Sequence, residues 1–197
     1  MIALAPPFRL ATAQDAGALA DLVEFASEGL ALKVWSKIAG PGGDAWAIGR
    51  ERAQRETGSF SYRNAVLVEA GGGIAAGLIG YPLPDQAAAI APDMPLMFVP
   101  LQELENLGAG SWYVNVLAAY PEQRGRGLGT ALLTLAERIA AAQGKSRLSI
   151  IVSDANTGAR RLYERCGYRK AGQRAMRKEG WINPGTHWLL LLKDCQR

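Results

Sequence analysis

Residues 120–133 read YPEQRGRGLGTALL, with two arginines and three alternating glycines between a run of strand-like residues and the opening of a helix. A strand that enters a glycine-rich turn at a helix start gathers several backbone N–H groups into one concave patch, backed by the positive end of the helix dipole. Such a patch binds phosphate. Glycine at 125, 127 and 129 lets the main chain approach a ligand with no Cβ in the way, and Arg124 and Arg126 add positive charge at the rim. A plain tight turn would also account for the pattern, but three alternating glycines at a helix start cost stability without a use.

Several phosphate-binding turns compete for this stretch. A nucleotide P-loop needs lysine and then serine or threonine after its last glycine, whereas Gly129 is followed by Thr130 and Ala131. A dinucleotide fingerprint starting at Gly125 and Gly127 needs glycine at position 130, so the spacing is one residue short, although Asp154 stands near the place of a ribose-binding acid. A third pattern, R-x-x-G-x-G, is met by Arg124, Gly127 and Gly129, preceded by Pro121-Glu122 and by VLAAY. Downstream, Asn156, Ala159, Leu162-Tyr163-Glu164 and Cys166-Gly167-Tyr168 fit N-x-x-A-x-x-L-Y-E-x-x-G-[FY]. In these two segments and their order, the sequence resembles the GNAT superfamily of N-acetyltransferases. The resemblance covers about residues 112–174; the first hundred residues match only in a coarse order of strand, helices and hairpin.

The resemblance implies an α/β (α+β) fold, a single domain over residues 1–197. Its central sheet would be mixed, mostly antiparallel and twisted, of about six to seven strands, with helices on both faces. It implies acetyl-CoA as co-substrate, no metal, and direct transfer of the acetyl group to a primary amine of a small molecule or peptide, without a covalent enzyme intermediate. The coenzyme's pyrophosphate would lie on the amides of Arg124, Gly125, Arg126, Gly127, Leu128, Gly129 and Thr130. Its pantetheine arm would run beside the main chain of Leu117, Ala118 and Ala119, one of whose N–H groups would stabilise the oxyanion. Asn156 and Ala159 would also meet the cofactor. Tyr163 would touch it and protonate the leaving thiolate, a task open to a phenol that is protonated at neutral pH.

Read without the resemblance, Tyr163 is a core aromatic and Asn156 a helix cap. The family's glutamate in or near its fourth strand has no counterpart in residues 112–119, which hold only Asn115, so Glu69, Glu122 or a chain of waters stand as candidate bases. That gap keeps open a protein that holds acyl-CoA without turnover, against which Tyr163 speaks. His187 beside Trp188, and Cys166, read as structural.

Composition supports a folded protein with a small anionic ligand. The 197 residues are 49% hydrophobic and 20% charged, and the net charge of 22 − 18 = +4 is too small for a nucleic-acid-binding surface. Two cysteines without CxxC spacing and a single histidine exclude the common zinc patterns and a disulfide framework. The opening MIALAPPFRL lacks the basic segment and cleavage site of a signal peptide, and the apolar run near residues 112–120 is too short to span a bilayer. The expectation is a cytoplasmic protein without nucleic-acid or membrane partners.

These residues need elements to position them. Periodicity predicts a strand at 8–13, helices at 15–28, 30–38 and 44–56, and a hairpin through 64–83 turning at Gly71 to Gly73. The third helix shows a mixed face, predicting a surface position. A proline-rich loop at 84–100 leads to a short helix at 101–107 and a strand at 112–119. A helix at 127–143 follows, with Leu128, Ala131, Leu132, Leu135 and Ile139 on its inner face. Next come a doubly buried strand at 147–152, a helix at 156–166 and strands at 168–174 and 186–193. The last strand can be a dimer edge or lie inside the sheet. Trp35, Trp46, Tyr81 and Met97 are candidates for a partly aromatic acceptor pocket.

Overall fold

The computed structural model describes residues 3–195. The chain runs β1 (Phe8–Leu10), α1 (Ala16–Ser27), α2 (Leu30–Ala39), α3 (Ala45–Ala53), β2 (Ala65–Ala70), β3 (Gly73–Pro82) and α4 (Val99–Leu107). It continues as β4 (Trp112–Ala119), α5 (Leu128–Ala142), β5 (Arg147–Ser153), α6 (Thr157–Arg165), β6 (Arg169–Ala175) and β7 (His187–Asp194). The strands form a mixed, mostly antiparallel sheet in the order β1-β2-β3-β4-β5-β7-β6, flanked by the six helices. Among the described residues, no helix is long and apolar enough to cross a membrane.

The described residues group into two compact units, one formed by 3–80 with 115–132, the other by 81–114 with 133–195. Among the described residues, the crossings fall within β3, β4 and α5.

In the first unit, Ala16, Leu19 and Leu22 form the inner stripe of α1 and bury against Leu67 of β2, Ile79 of β3 and Val116 of β4. Asp44 caps α3, its carboxylate accepting the Ala47 N–H at 3.0 Å. This helix has an exposed side carrying Ala47, Arg50 and Glu51 and packs inward through Gly49 and Ala53; a Cβ on Gly49 would lie 2.6 Å from the Trp35 ring. α3 also stops at Ala53, short of residue 56.

In the second unit, β5 pairs in parallel with β4 from Trp112–Leu148 to Val114–Ile150, and antiparallel with β7 from Arg147–Asp194 to Ser153–Trp188. The burial of Leu148, Ser149 and Ile150 together agrees with a strand covered on both faces. β7 lies between β5 and β6, so it is internal, and β6 is the edge. On α5 the buried residues are Leu132, Leu133, Leu135, Ala136 and Ala140; Ala131 is exposed and Ile139 half-buried, a stripe rotated from the expected one.

Candidate functional site

The glycine turn belongs to the first unit. β4 ends at Ala119, a single 3-10 turn spans Pro121–Gln123, and α5 opens at Leu128. Gly125 and Gly127 have φ of 75° and 78°, the left-handed region that side chains disfavour. An added Cβ at either would meet nothing within 4 Å, so these glycines make room for no protein neighbour and the space above them is open. Residues 124–127 are exposed, and Gly129 sits in the first turn of α5, where N–H groups lack partners within the helix. The turn therefore offers an open backbone surface at the positive end of a 15-residue helix, a fit for pyrophosphate.

The approach to the turn is pinned. The Tyr120 N–H donates to the Ala75 carbonyl at 3.0 Å, its hydroxyl donates to Asp21 at 2.8 Å, and its ring meets Phe25 edge-on at 5.6 Å. Burial and the Asp21 carboxylate push the Tyr120 phenol up, so it stays a donor. Arg124 turns back, donating to the Ala119 carbonyl at 3.3 Å with its guanidinium 6.0 Å from the Phe25 ring centre. Arg126 donates to Gln123. Both arginines are exposed, and Arg124 braces the turn.

The second motif lies in the other unit. Asn156 caps α6, its side-chain oxygen accepting the Ala159 N–H at 3.0 Å. Tyr163 is the buried residue of this helix, its ring 6.1 Å from that of Tyr168. Asp154 accepts from the Thr186 hydroxyl at 2.6 Å and the Thr186 N–H at 2.8 Å. Desolvation alone would raise its carboxyl, but these hydrogen bonds and one from the His187 N–H outweigh it and hold the group at about 2. Asp154 thus ties the end of β5 to the start of β7. His187 shares the cluster, with Nδ1 2.9 Å from the Thr186 hydroxyl, as a structural reading expects.

The candidate bases fare differently. Glu69 is committed to Arg9, which also grips Asp15. Glu122 lies exposed in the 3-10 turn. A carboxyl that the sequence does not single out is Glu105 on α4. It is half-buried, and burial pushes it up to about 7. Its charge acts on the buried phenol of Tyr113, which the phenols of Tyr81 and Tyr163 also influence and which is raised mainly by burial. Tyr81 and Tyr113 meet edge-on at 5.7 Å. Only tertiary burial distinguishes Glu105 from its neighbour Glu103, which pairs with Arg174. Among the expected pocket aromatics, Trp35 is 2% exposed and packs with Trp46 and Phe60, so it is core. Met97 is buried as well.

Solved structures resemble this chain over most of its length. An acetyltransferase aligns at 23% identity and TM-score 0.63, covering 96% of this chain and 99% of its own. An N-acetyltransferase from Staphylococcus aureus Mu50 aligns at 19% identity and TM-score 0.62, covering 94% and 98%. A GNAT family acetyltransferase from Elizabethkingia anophelis with acetyl-CoA bound aligns at 17% identity and TM-score 0.50, covering 66% and 74%. At these identities the likeness is one of fold. No curated protein matches the sequence. The family model for the Acetyltransferase (GNAT) family matches residues 34–168, more than half of the 197 residues, and on that match the chain belongs to the GNAT acetyltransferases.

Proposed function

We propose that the protein is an acetyl-CoA-dependent N-acetyltransferase that passes the acetyl group directly to a primary amine of a small molecule or peptide, the whole chain acting as one acetyltransferase domain in the cytoplasm. The observation that carries this reading is the open turn at the start of α5, with two left-handed glycines and no protein atom where a Cβ would stand. The coenzyme-bound relative and the membership of the chain in a family of acetyltransferases support it.

In this reading the amides of residues 124–130 hold the pyrophosphate, and Asn156 and Ala159 help to seat the coenzyme. The β4 main chain from Leu117 to Ala119 lies past Val114, the last position paired with β5, and binds the pantetheine arm while one N–H stabilises the oxyanion. Bound coenzyme supplies an activated acetyl thioester. The Tyr163 hydroxyl delivers a proton to the departing sulfur, in keeping with its buried place on α6.

Calorimetric titration with acetyl-CoA, NAD and ATP in parallel tests the reading. Saturable binding of acetyl-CoA alone is the expected result. Binding of NAD in its place would overturn the proposal and favour a dinucleotide site.

A further inference from the structure

The proposed reaction needs a group that removes a proton from the acceptor's ammonium, and β4 carries no carboxylate. The residue directly after β4 carries a different group, the phenol of Tyr120. Successive N–H groups of an extended strand point to opposite edges. The Tyr120 N–H is spent on the Ala75 carbonyl of β3, so the N–H of Ala119 points away from β3, on the edge where Arg124 meets the Ala119 carbonyl. Ala119 is one of the expected oxyanion donors, and a single peptide bond joins it to Tyr120.

Tyr120 and Ala118 lie two positions apart, on one face of the strand, and both pack against the core that holds the inner stripe of α1. On α1, Asp21 and Phe25 stand one turn apart and reach the same ring: the phenol donates to Asp21 at 2.8 Å, and Phe25 meets it edge-on at 5.6 Å. All four residues belong to the first unit, and each is half-buried, open in part to solvent. Asp21 differs from other carboxylates of this unit. Asp15, Asp44, Glu51, Glu56 and Glu69 each pair with an arginine. Among the described residues Asp21 meets no cation, and the phenol is its side-chain partner. A half-buried carboxylate without a cation is costly to maintain, and aromatic rings beside it attract ammonium groups. The phenol oxygen donates its one proton to Asp21 and keeps lone pairs that can accept another. The place is therefore complementary to a protonated amine.

We propose that the Tyr120 hydroxyl takes the proton from the acceptor's ammonium group while passing its own proton to the Asp21 carboxylate. This role rests on the N-acetyltransferase reading. One ammonium N–H bond breaks and an O–H bond forms at the phenol, as the phenol's former proton moves to Asp21 Oδ2, 2.8 Å away. The phenol is neutral before and after the step. The freed amine lone pair forms the C–N bond to the acetyl carbon, the C–S bond breaks, and its electron pair stays on sulfur. The nitrogen's surplus proton balances the one that the thiolate takes up, and Asp21 returns its proton to solvent. One proton is released per turnover. Tyr120 touches the acceptor, whereas Asp21 acts through the hydroxyl, positioning it and holding its proton.

The test compares the wild-type protein with Asp21→Asn, Tyr120→Phe and the double variant. Thiol release from acetyl-CoA is followed with phenethylamine, spermidine, kanamycin and a tripeptide bearing a free α-amine, and acetyl-CoA binding is measured by calorimetry. Asp21→Asn keeps an oxygen that accepts from the phenol but takes no proton, and Tyr120→Phe keeps the ring against Phe25 without the hydroxyl. Each should lower kcat by about a hundred- to ten-thousand-fold while leaving KM and Kd for acetyl-CoA unchanged. The double variant should be no slower than the slower single, because members of one relay fail together. A hydrogen bond that only fastens α1 to the strand end gives a different pattern, with wild-type kcat in Asp21→Asn and weakened acetyl-CoA binding in Tyr120→Phe. That pattern, wild-type kcat in either single variant, or losses that multiply in the double variant would overturn the relay while leaving the N-acetyltransferase reading intact. Failure of the wild-type protein to bind acetyl-CoA, or to acetylate any amine of the panel, would overturn both.

Discussion

Gly127→Val puts the coenzyme turn to a quantitative test. At φ of 78° a side chain pays about 1–2 kcal/mol of backbone strain, and the substitution adds no clash because nothing lies within 4 Å of the new Cβ. In a protein of 197 residues this lowers Tm by about 2–8 °C. Gly144 supplies a matched control, since its φ is 71°, its surroundings are equally open, and it lies after the other end of α5. Both variants should lose similar stability. They should differ in response to coenzyme: at about a hundred times Kd, acetyl-CoA stabilises by about 2.7 kcal/mol, a rise of about 5–11 °C in Tm. Thermal unfolding with and without acetyl-CoA should show that rise in the wild type and in Gly144→Val, and none in Gly127→Val, whose side chain stands where the phosphates would lie. An undiminished rise in Gly127→Val would refute the placement of the pyrophosphate on this turn.

Other substitutions probe other links. Tyr163→Phe should retain acetyl-CoA binding while slowing transfer by about a hundredfold or more, measured as kcat; full activity would make Tyr163 a packing residue only. Gly49→Ala should cost about 1–3 kcal/mol in chemical denaturation, because the new methyl meets the Trp35 ring at 2.6 Å and must displace it; unchanged stability would mean that the ring yields freely. The hydrogen bonds from Arg9 hold the Asp15 carboxyl at about 2, below its unfolded value of about 3.9, so its stabilising effect is full above pH 4 and lost as pH falls towards 2. Asp15→Asn should accordingly be less stable than the wild type at pH 6, with the gap closing over that acid range; a constant gap would show that the ion pair contributes nothing to acid sensitivity.

What could be read in advance was local. β4 falls at the expected residues because WYVNVLAA carries its own strand propensity between two turns, and Asn156 declares a cap through spacing alone. The turn at Gly125 and Gly127 was legible because a backbone requirement shows directly as residue type. Features set by distant partners were not. Trp35 looked available for a pocket until Gly49 and Phe60 were seen to enclose it. Glu105 and Glu103 are equivalent on a short helix in the sequence, and only the packing of α4 gives one an arginine and the other a half-buried place near Tyr113. The position of β7 was likewise undetermined, since an apolar strand reads the same at an edge as inside a sheet.

The insertion of β7 between β5 and β6 bears on how the chain acquires its structure during synthesis. β6 leaves the ribosome before β7, the strand that joins it to the sheet, and until then the apolar flank of β5 is an open template. A nascent chain that has made α6 and β6 can build the helices but cannot close this half of the sheet. The interval between β6 and β7 is thus a window in which β5 can capture a strand from another chain, and chaperones that shield extended apolar segments would act most usefully there.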